Sequence, residues 1–579
     1  MMRFYHLIKK PMKPTIEKIS LVFLLVLISC NNNSNDNTDN TFNVVWLVAE
    51  DLSPYIPSFG DSTIETPSLS RMAAEGVSYS NVYSVSGVCA PSRAAIATGM
   101  YPSSIGAHHM RTISQQPAAR EKGIINYEVV PPPEVKMISQ ILRGNKYYCT
   151  NNKKEDYQFY KSEMAWDESS IFAHWRNRPS GAKFFSVFNF GVTHESNLWD
   201  PWYRQYDLEP FPPDRSIQKW WEKFSGIEKP LYVDEDIDVS VPPYLPDNNI
   251  VRDDMKRMYS NIVEMDNKVG LILSQLEQDG LLEKTIIVWY TDHGGPLPRQ
   301  KRLLYDSGIK VPMIIRYPNG KRAGEVDERL ISFVDFAPTL LSMVNILPPK
   351  YQQGIAFEGK FKSPNRRSYI HAAADRFDEH YDMIRAVRDK RYKYLKNYNP
   401  DKPYYLPLEY REKMNTMKEL IRLNKKGDLN NIQLQWFRLS KPEEELFDVS
   451  SDPHELNNLA HNPNYEDKLI ELRNECAKWM NEINDKGLIP EKELIKKFWP
   501  NKTQPVTENP IIRRDGNSIL LSCKTEGASI GYKLRKEDMF PWKGWRPYIT
   551  PIELNKDVEI QIIAHRIGFL PSDILDFKQ

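Results

Sequence analysis

One cysteine, Cys89, stands four residues ahead of Arg93 in the run Cys-Ala-Pro-Ser-Arg, which passes into the small-residue stretch "AAIATG". Elsewhere, apolar runs end in Glu50-Asp51, in His194 and in Asp292-His293. Carboxylates gathered in one cleft repel one another unless a cation sits among them, and a cluster of oxygen donors favours a hard ion, Ca²⁺ or Mg²⁺. Glu50, Asp51 and Asp292 are therefore candidate ligands of a metal. Taken singly, an acid at a strand end is as well explained as a cap or a surface residue. Their shared position after apolar runs argues for one site, because open α/β sheets bind ligands beyond the carboxyl ends of their strands. His194 is a candidate general acid, since imidazole titrates near neutrality. Cys89 is either a small buried apolar residue or a side chain with chemistry of its own. The other cysteines, Cys30, Cys149, Cys476 and Cys523, are too scattered for a disulfide framework.

Strands must hold these groups. "NVVWLVA", "KFFSVFNF" and "KTIIVWYT" are continuous β-branched and aromatic runs, the pattern of strands covered on both faces. Between the second and third, Ile262, Met265, Val269, Ile272, Leu273 and Leu276 recur at helical spacing, with Gly280 beyond. The fold class is α/β, a mostly parallel sheet flanked by helices, over residues 42–345. A smaller subdomain follows over 346–499, with the strand-like "YDMIRAVRDKRYKYLKNY", read as antiparallel, and a helix near 466–483. Past Pro500 the short runs "SILLSC", "IGYKLR" and "VEIQIIAHR" predict a separate β-sandwich over 500–579.

Composition excludes some classes. Lys+Arg 77 against Asp+Glu 76 leaves a net charge of +1, with no electrostatic footprint for nucleic acid. The 13 Trp suit sugar-binding clefts as well as ordinary cores. At the N-terminus a basic stretch precedes "LVFLLVLI", too short to span a membrane, so 1–29 reads as an export signal. It closes on Leu27-Ile28-Ser29-Cys30, which resembles a bacterial lipobox, making Cys30 the site of lipidation; a plain secretory signal with an incidental cysteine is the alternative. Residues 30–41 are a polar tether. The protein is expected in the cell envelope, periplasmic or at the surface, anchored to a membrane by lipid.

The run Cys89-Ala90-Pro91-Ser92-Arg93 with its following Thr98-Gly99 matches the C-x-P-S-R signature of the formylglycine-dependent sulfatases, in the alkaline-phosphatase-like superfamily. The resemblance extends over 43–459, including "ETPSLSRMAAEGV", "FVDFAPTLL" and "ELFDVSSDPHELNNLA", and the "PLPRQKRLLY" segment is similar to the sulfamidase-like branch. It implies that a maturation enzyme oxidises Cys89 to formylglycine, whose hydrated aldehyde attacks sulfur and then expels sulfate as the carbonyl re-forms. It also implies that Glu50, Asp51, Asp292 and His293, with the oxygen at position 89, bind one divalent ion, usually Ca²⁺. Two departures stand out: Glu50 where aspartate is commoner, and His293 where asparagine is commoner. Imidazole is a poor partner for a hard cation, so His293 is a weak ligand or a hydrogen-bond donor to sulfate. The resemblance places Arg93 on the diol, Lys154 and Lys301 on the sulfate, His194 as general acid, and Asp156 where a histidine is usual.

His108 and His109 are candidates to line the pocket, and Asp375, Arg376 and Glu379 to contact a sugar. The final domain resembles the chitobiase C-terminal, fibronectin-like module of glycan-degrading enzymes. The expected substrate is a sulfated polysaccharide, ulvan first and a heparan-type glycosaminoglycan (O- or N-sulfate) second. The rivals are a phosphate or phosphonate ester hydrolase of the same superfamily and a non-catalytic glycan-binding lipoprotein.

Overall fold

The computed structural model describes residues 41–112, 120–121, 123, 125–202, 229–534, 544–553 and 559–578. The export signal, the lipidation position Cys30 and the tether up to residue 40 lie outside the described residues.

Nine strands form the large sheet: β1 (Asn43–Ala49), β2 (Val77–Tyr83), β3 (Tyr148–Asn152), β4 (Glu168–Ser169), β5 (Phe184–Phe190), β6 (Thr285–Thr291), β7 (Lys310–Arg316), β8 (Glu325–Asp327) and β9 (Ile331–Ser332). Their order is β4-β3-β5-β1-β6-β7-β2-β8, with β9 also paired to β2. Only β7 runs against the rest, pairing antiparallel with both β6 and β2. The carboxyl ends of β1, β2, β3, β5 and β6 therefore open on the same edge. β1 shows why its sequence is unbroken and apolar: Val44, Trp46 and Val48 enter one core, and Val45, Leu47 and Ala49 the core on the opposite face.

The segment after β2 leads into helix α1 (Cys89–Thr98), all ten residues of which are buried. Its alanines permit that burial, and Gly99, at φ 74°, ends it in the left-handed region. Helix α2 (Asn249–Gln278) lays Met255, Ile262, Met265, Val269 and Leu276 on the sheet. It begins well before the expected stretch, because Asn248 caps it by accepting from the Val251 amide at 3.2 Å.

A four-stranded antiparallel sheet, β10 (Ile370–Ala374), β11 (Ile384–Arg388), β12 (Tyr392–Asn397) and β13 (Glu444–Asp448), forms the smaller subdomain. Its Ala372, Ile384, Ala386 and Phe447 share a core with Val88, Cys89 and Ala90, so this sheet covers the start of α1. Helix α3 (Glu466–Glu482) follows close to the expected bounds. Beyond it, β14 (Ile511–Asp515), β15 (Ser518–Ser522) and β18 (Ile552–Glu553) make one antiparallel sheet. A second comprises β16 (Ser529–Leu534), β17 (Arg546–Pro547), β19 (Glu559–His565) and β20 (Leu575–Lys578). Sequence reasoning treats this module as separate, but it is docked. Arg143 donates to the Trp545 carbonyl at 2.6 Å, the Glu163 amide donates to His565 at 3.0 Å, and Met164 packs with Trp545 and Ile563.

Candidate active site

At the shared edge the structure brings together every residue that the sequence places at the metal. Asp51, Cys89, Asp292 and His293 are fully buried, and their donor atoms lie within 4.8 Å of one another; Glu50, Asp51, Cys89 and His194 form an overlapping set at the same spacing. Asp51 sits at φ 46°, a strained conformation for a residue with a side chain, held by its amide donating to Asp292 Oδ1 at 3.1 Å. Its Oδ2 accepts from Lys301 Nζ at 2.6 Å and from the Glu195 amide at 2.8 Å. Its Oδ1 faces His293 Nε2 at 3.0 Å and Cys89 Sγ at 3.9 Å. His293 Nε2 is also 3.3 Å from Cys89 Sγ. Arg93 reaches across with Nε 3.0 Å from Asp292 Oδ2 and Nη1 2.6 Å from Asn189 Oδ1. Lys154, two residues beyond β3, places Nζ 2.5 Å from Glu50 Oε2.

Two loops are latched together here. The Arg302 amide donates to the Gly87 carbonyl at 2.7 Å, and a Cβ on Gly87 would lie 2.5 Å from the Leu303 carbonyl oxygen. Glycine lets the loop entering α1 press against the loop carrying Lys301.

A ring of alternating charge starts beside Cys89, at Asp51. From Asp51 it passes to Lys301, Glu195 (3.0 Å), Arg302 (2.9 Å), Asp378 (3.1 Å), Arg111 (3.5 Å), Asp156 (3.9 Å), Lys154 (3.8 Å) and Glu50. Glu195, Arg302, Asp378 and Arg111 are the members sequence reasoning missed, as it missed Asn189, the partner of Arg93. The one available signal was charge beside a named residue: Glu195 follows His194 and Arg302 follows Lys301. Glu195 is fully buried; burial pushes its carboxyl up, but Arg302 and Lys301 outweigh that and bring it down to about 2. Removing one member of such a buried pair strands the other, so Glu195→Gln should cost about 3 kcal/mol of stability or more. Urea denaturation of the variant checks this.

The field in the pocket favours anions on sulfur and cations on nitrogen. Burial alone would raise the Cys89 thiol, yet Lys154 and Lys301 draw it down to about 6. His293 is disfavoured as a cation by burial, but Asp292 and Asp51 raise it to about 10. The carboxylates are thus short of positive charge. With His293 neutral, as an imidazole that ligates a metal must be, the cations Arg93, Lys154, Lys301, Arg302 and Arg111 stand against Glu50, Asp51, Asp156, Glu195, Asp292 and Asp378, one more negative than positive group. An oxygen-rich, buried donor set with that deficit fits a hard divalent ion, to which Glu50, Asp51 and Asp292 offer carboxylates and His293 an imidazole.

His194 stands beside this cluster, its side chain 12% exposed, with Nε2 3.2 Å from Lys301 Nζ and Nδ1 2.9 Å from Ser196 Oγ. Tyr410 faces its ring at 6.2 Å and packs edge-on against Trp199 at 4.5 Å, an aromatic wall of the kind that suits a sugar face.

The remaining candidates lie apart from the metal cluster. His108 and His109 are buried, their rings 4.2 Å apart; burial takes His108 down to about 3, and His109 Nδ1 accepts from the Arg376 amide at 3.3 Å. Asp375 Oδ1 accepts from Arg385 at 3.1 Å. Arg376 grips Glu491 at 2.7 Å with both prongs, and Glu379 accepts from the Glu409 amide at 2.8 Å. Their neighbour Asp378 is the residue of that loop that enters the ring, through Arg302 and Arg111.

Residues 42–346 match the Sulfatase family model, and residues 299–435 match the C-terminal family of N-sulphoglucosamine sulphohydrolase. The chain belongs to the sulfatase family. The sulfatase is 55% identical over 546 residues to an "Ulvan-active sulfatase" of Formosa agariphila, spanning 93% of this chain and 91% of the relative. It is 24% identical to the N-sulphoglucosamine sulphohydrolase of Homo sapiens, over 80% of this chain and 95% of that one. Among solved structures, one in complex with its substrate D-glucosamine-2-N,6-O-disulfate superposes with TM-score 0.51 at 18% identity, covering 77% of this chain and 98% of that one, and shares its fold. The sulfatase therefore has the alkaline-phosphatase-like α/β architecture expected, and its family implies formylglycine and a divalent metal.

Proposed function

We propose that this sulfatase removes sulfate esters from ulvan or its oligosaccharides, using formylglycine at position 89 and Ca²⁺, as an exported protein lipidated at Cys30 in the cell envelope and activated by a maturation enzyme. One observation carries the chemical reading: Cys89 lies buried within a set of carboxylate and imidazole donors able to hold a divalent ion, whose acids Glu50 and Asp51 are paired with Lys154 and Lys301. The substrate rests on the 55% identity to an ulvan-active relative.

When bound, the hydrated aldehyde and the ion together supply the oxygen that accepts the SO₃ group and the charge that steadies it. The chain's own side chains do the rest. Lys154 and Lys301 both bring positive charge to bear on position 89 and neutralise sulfate oxygens as charge builds toward the departing alkoxide. Glu195 and Asp51 fix Lys301 in place, and Asn189 and Asp292 fix Arg93. With His293 neutral as a ligand, a divalent ion among these groups would leave one uncompensated positive charge, which suits a monoanionic sulfate ester better than a dianionic phosphate monoester. Oxygen donors for a hard ion outnumber nitrogen, which supports Ca²⁺.

His194, adjoining Lys301 and partly exposed, protonates the leaving oxygen. His194→Ala should slow esters of poor leaving groups by about 10²-fold while slowing nitrophenyl sulfate far less. Equal losses on both would remove it as the acid.

A second reading, hydrolysis of N-sulfate on a glucosamine, is favoured by the match of residues 299–435 to the sulphohydrolase C-terminal family. Sulfate release from desalted ulvan, heparan-type chains and their lyase-generated oligosaccharides separates the two. Release from ulvan fragments alone is the expected result, and release from N-sulfated glucosamine alone would replace the substrate.

A further inference from the structure

The far edge of the large sheet carries a groove that shares no residue with the catalytic cluster. It lies between the turn after β8 and the segment 355–367, with a volume of about 320 Å³, at the small end of pockets that hold ligands. Arg329, Lys362, Arg366 and Arg367 line it against a single carboxylate, Asp335. Two of these cations belong to the wall: Arg367 Nε lies 2.9 Å from Asp335, and Arg329 Nη2 lies 2.5 Å from Asp327. The other two project. Lys362 has a 46% exposed side chain whose nearest carboxylate, Glu358, is 3.6 Å away and already held by Arg322 at 2.8 Å. Arg366 is exposed and forms no ion pair among the described residues. The groove thus keeps positive charge on a chain whose total is only +1, so the concentration is local. Leu330 and Phe357 give it an apolar floor. Apolar floor and projecting cations together match a sugar ring that carries sulfate or carboxylate groups, since guanidinium pairs with planar or tetrahedral oxyanions through two bonds.

We infer that this groove is a second binding site for the sulfated polysaccharide, holding a stretch of chain away from the residue being desulfated. The inference rests on the polysaccharide reading above. Two attachment points on one polymer raise the effective concentration of its esters at Cys89 without any new contact there.

The test is the double variant Lys362→Ala/Arg366→Ala in the full, mature enzyme; both side chains are exposed, so the fold is little affected. The KM for the sulfated polymer should rise about fivefold or more with kcat unchanged, and retardation of the protein by sulfated polymer in affinity gels should weaken in parallel. Turnover of aryl sulfate and of a sulfated monosaccharide should stay at the wild-type level, and desulfated polymer should retard neither protein. Wild-type polymer KM and retardation in the variant would overturn the groove while leaving the sulfatase reading intact. Wild-type cleavage of aryl sulfate with neither cleavage nor retardation by any sulfated polymer would overturn the polysaccharide reading, and the groove with it.

Discussion

Cys89→Ser should lower multiple turnover by at least about 10³-fold while leaving the fold unchanged. The two halves of this expectation have separate causes. Cys89 is fully buried at the first turn of α1, where serine is smaller and can turn its hydroxyl toward Asp51 or His293, so packing changes little. A serine offers one oxygen and no carbonyl. It can accept a sulfuryl group once, but it has no second hydroxyl whose deprotonation would release it. A pre-steady-state burst of no more than one alcohol per enzyme, followed by silence, is the signature expected in a quenched-flow assay, with the wild-type circular dichroism spectrum retained. Continued turnover in this variant contradicts the self-resetting role of position 89.

Asp51→Asn should be almost as damaging, and it is visible without any assay of activity. Asp51 is the hub of the site: it accepts from Lys301 and the Glu195 amide on one oxygen and faces His293 and Cys89 with the other. Burial works against its charge, but Lys301, His194 and His293 hold its carboxyl well below the usual range, so it is ionised under all working conditions. Removing that charge takes away the carboxylate common to both candidate ligand sets, which otherwise share Cys89. Activity should fall by about 10³-fold. In the wild type, calcium at a hundred times its dissociation constant should add about 2.7 kcal/mol of stability, and chelation should remove it. In Asp51→Asn the melting temperature should no longer respond to calcium. A full calcium response in the variant would place the ion elsewhere.

How much of this was legible in the sequence follows from what each residue packs against. β1, β5 and β6 were readable because the sheet buries both their faces, and the acids and histidines beyond them stood out against unbroken apolar runs. β2, "VSYSNVY", carries polar residues near the sheet's edge, and nothing in it announces that its end delivers Cys89 to the same cleft. The antiparallel insertion of β7 was likewise hidden, since the sequence does not encode pairing partners locally. The metal residues could be named from motif and position. The ring that positions them could not, because its links join distant parts of the chain: Glu195 and Arg302 are 107 residues apart, Arg302 and Asp378 another 76. In the sequence Asp375, Arg376 and Glu379 read as a polar loop suited to a sugar. Their side chains pair with Arg385, Glu491 and the Glu409 backbone, which only the folded subdomain brings to them.

The most direct measurement is sulfate release by protein purified with its Cys89 peptide shown by mass spectrometry to carry the aldehyde, and saturated with calcium. The account predicts inorganic sulfate from aryl sulfate and from at least one sulfated glycan, at rates that vanish on chelation and return with added calcium. Protein so matured and so loaded that frees sulfate from neither substrate contradicts it.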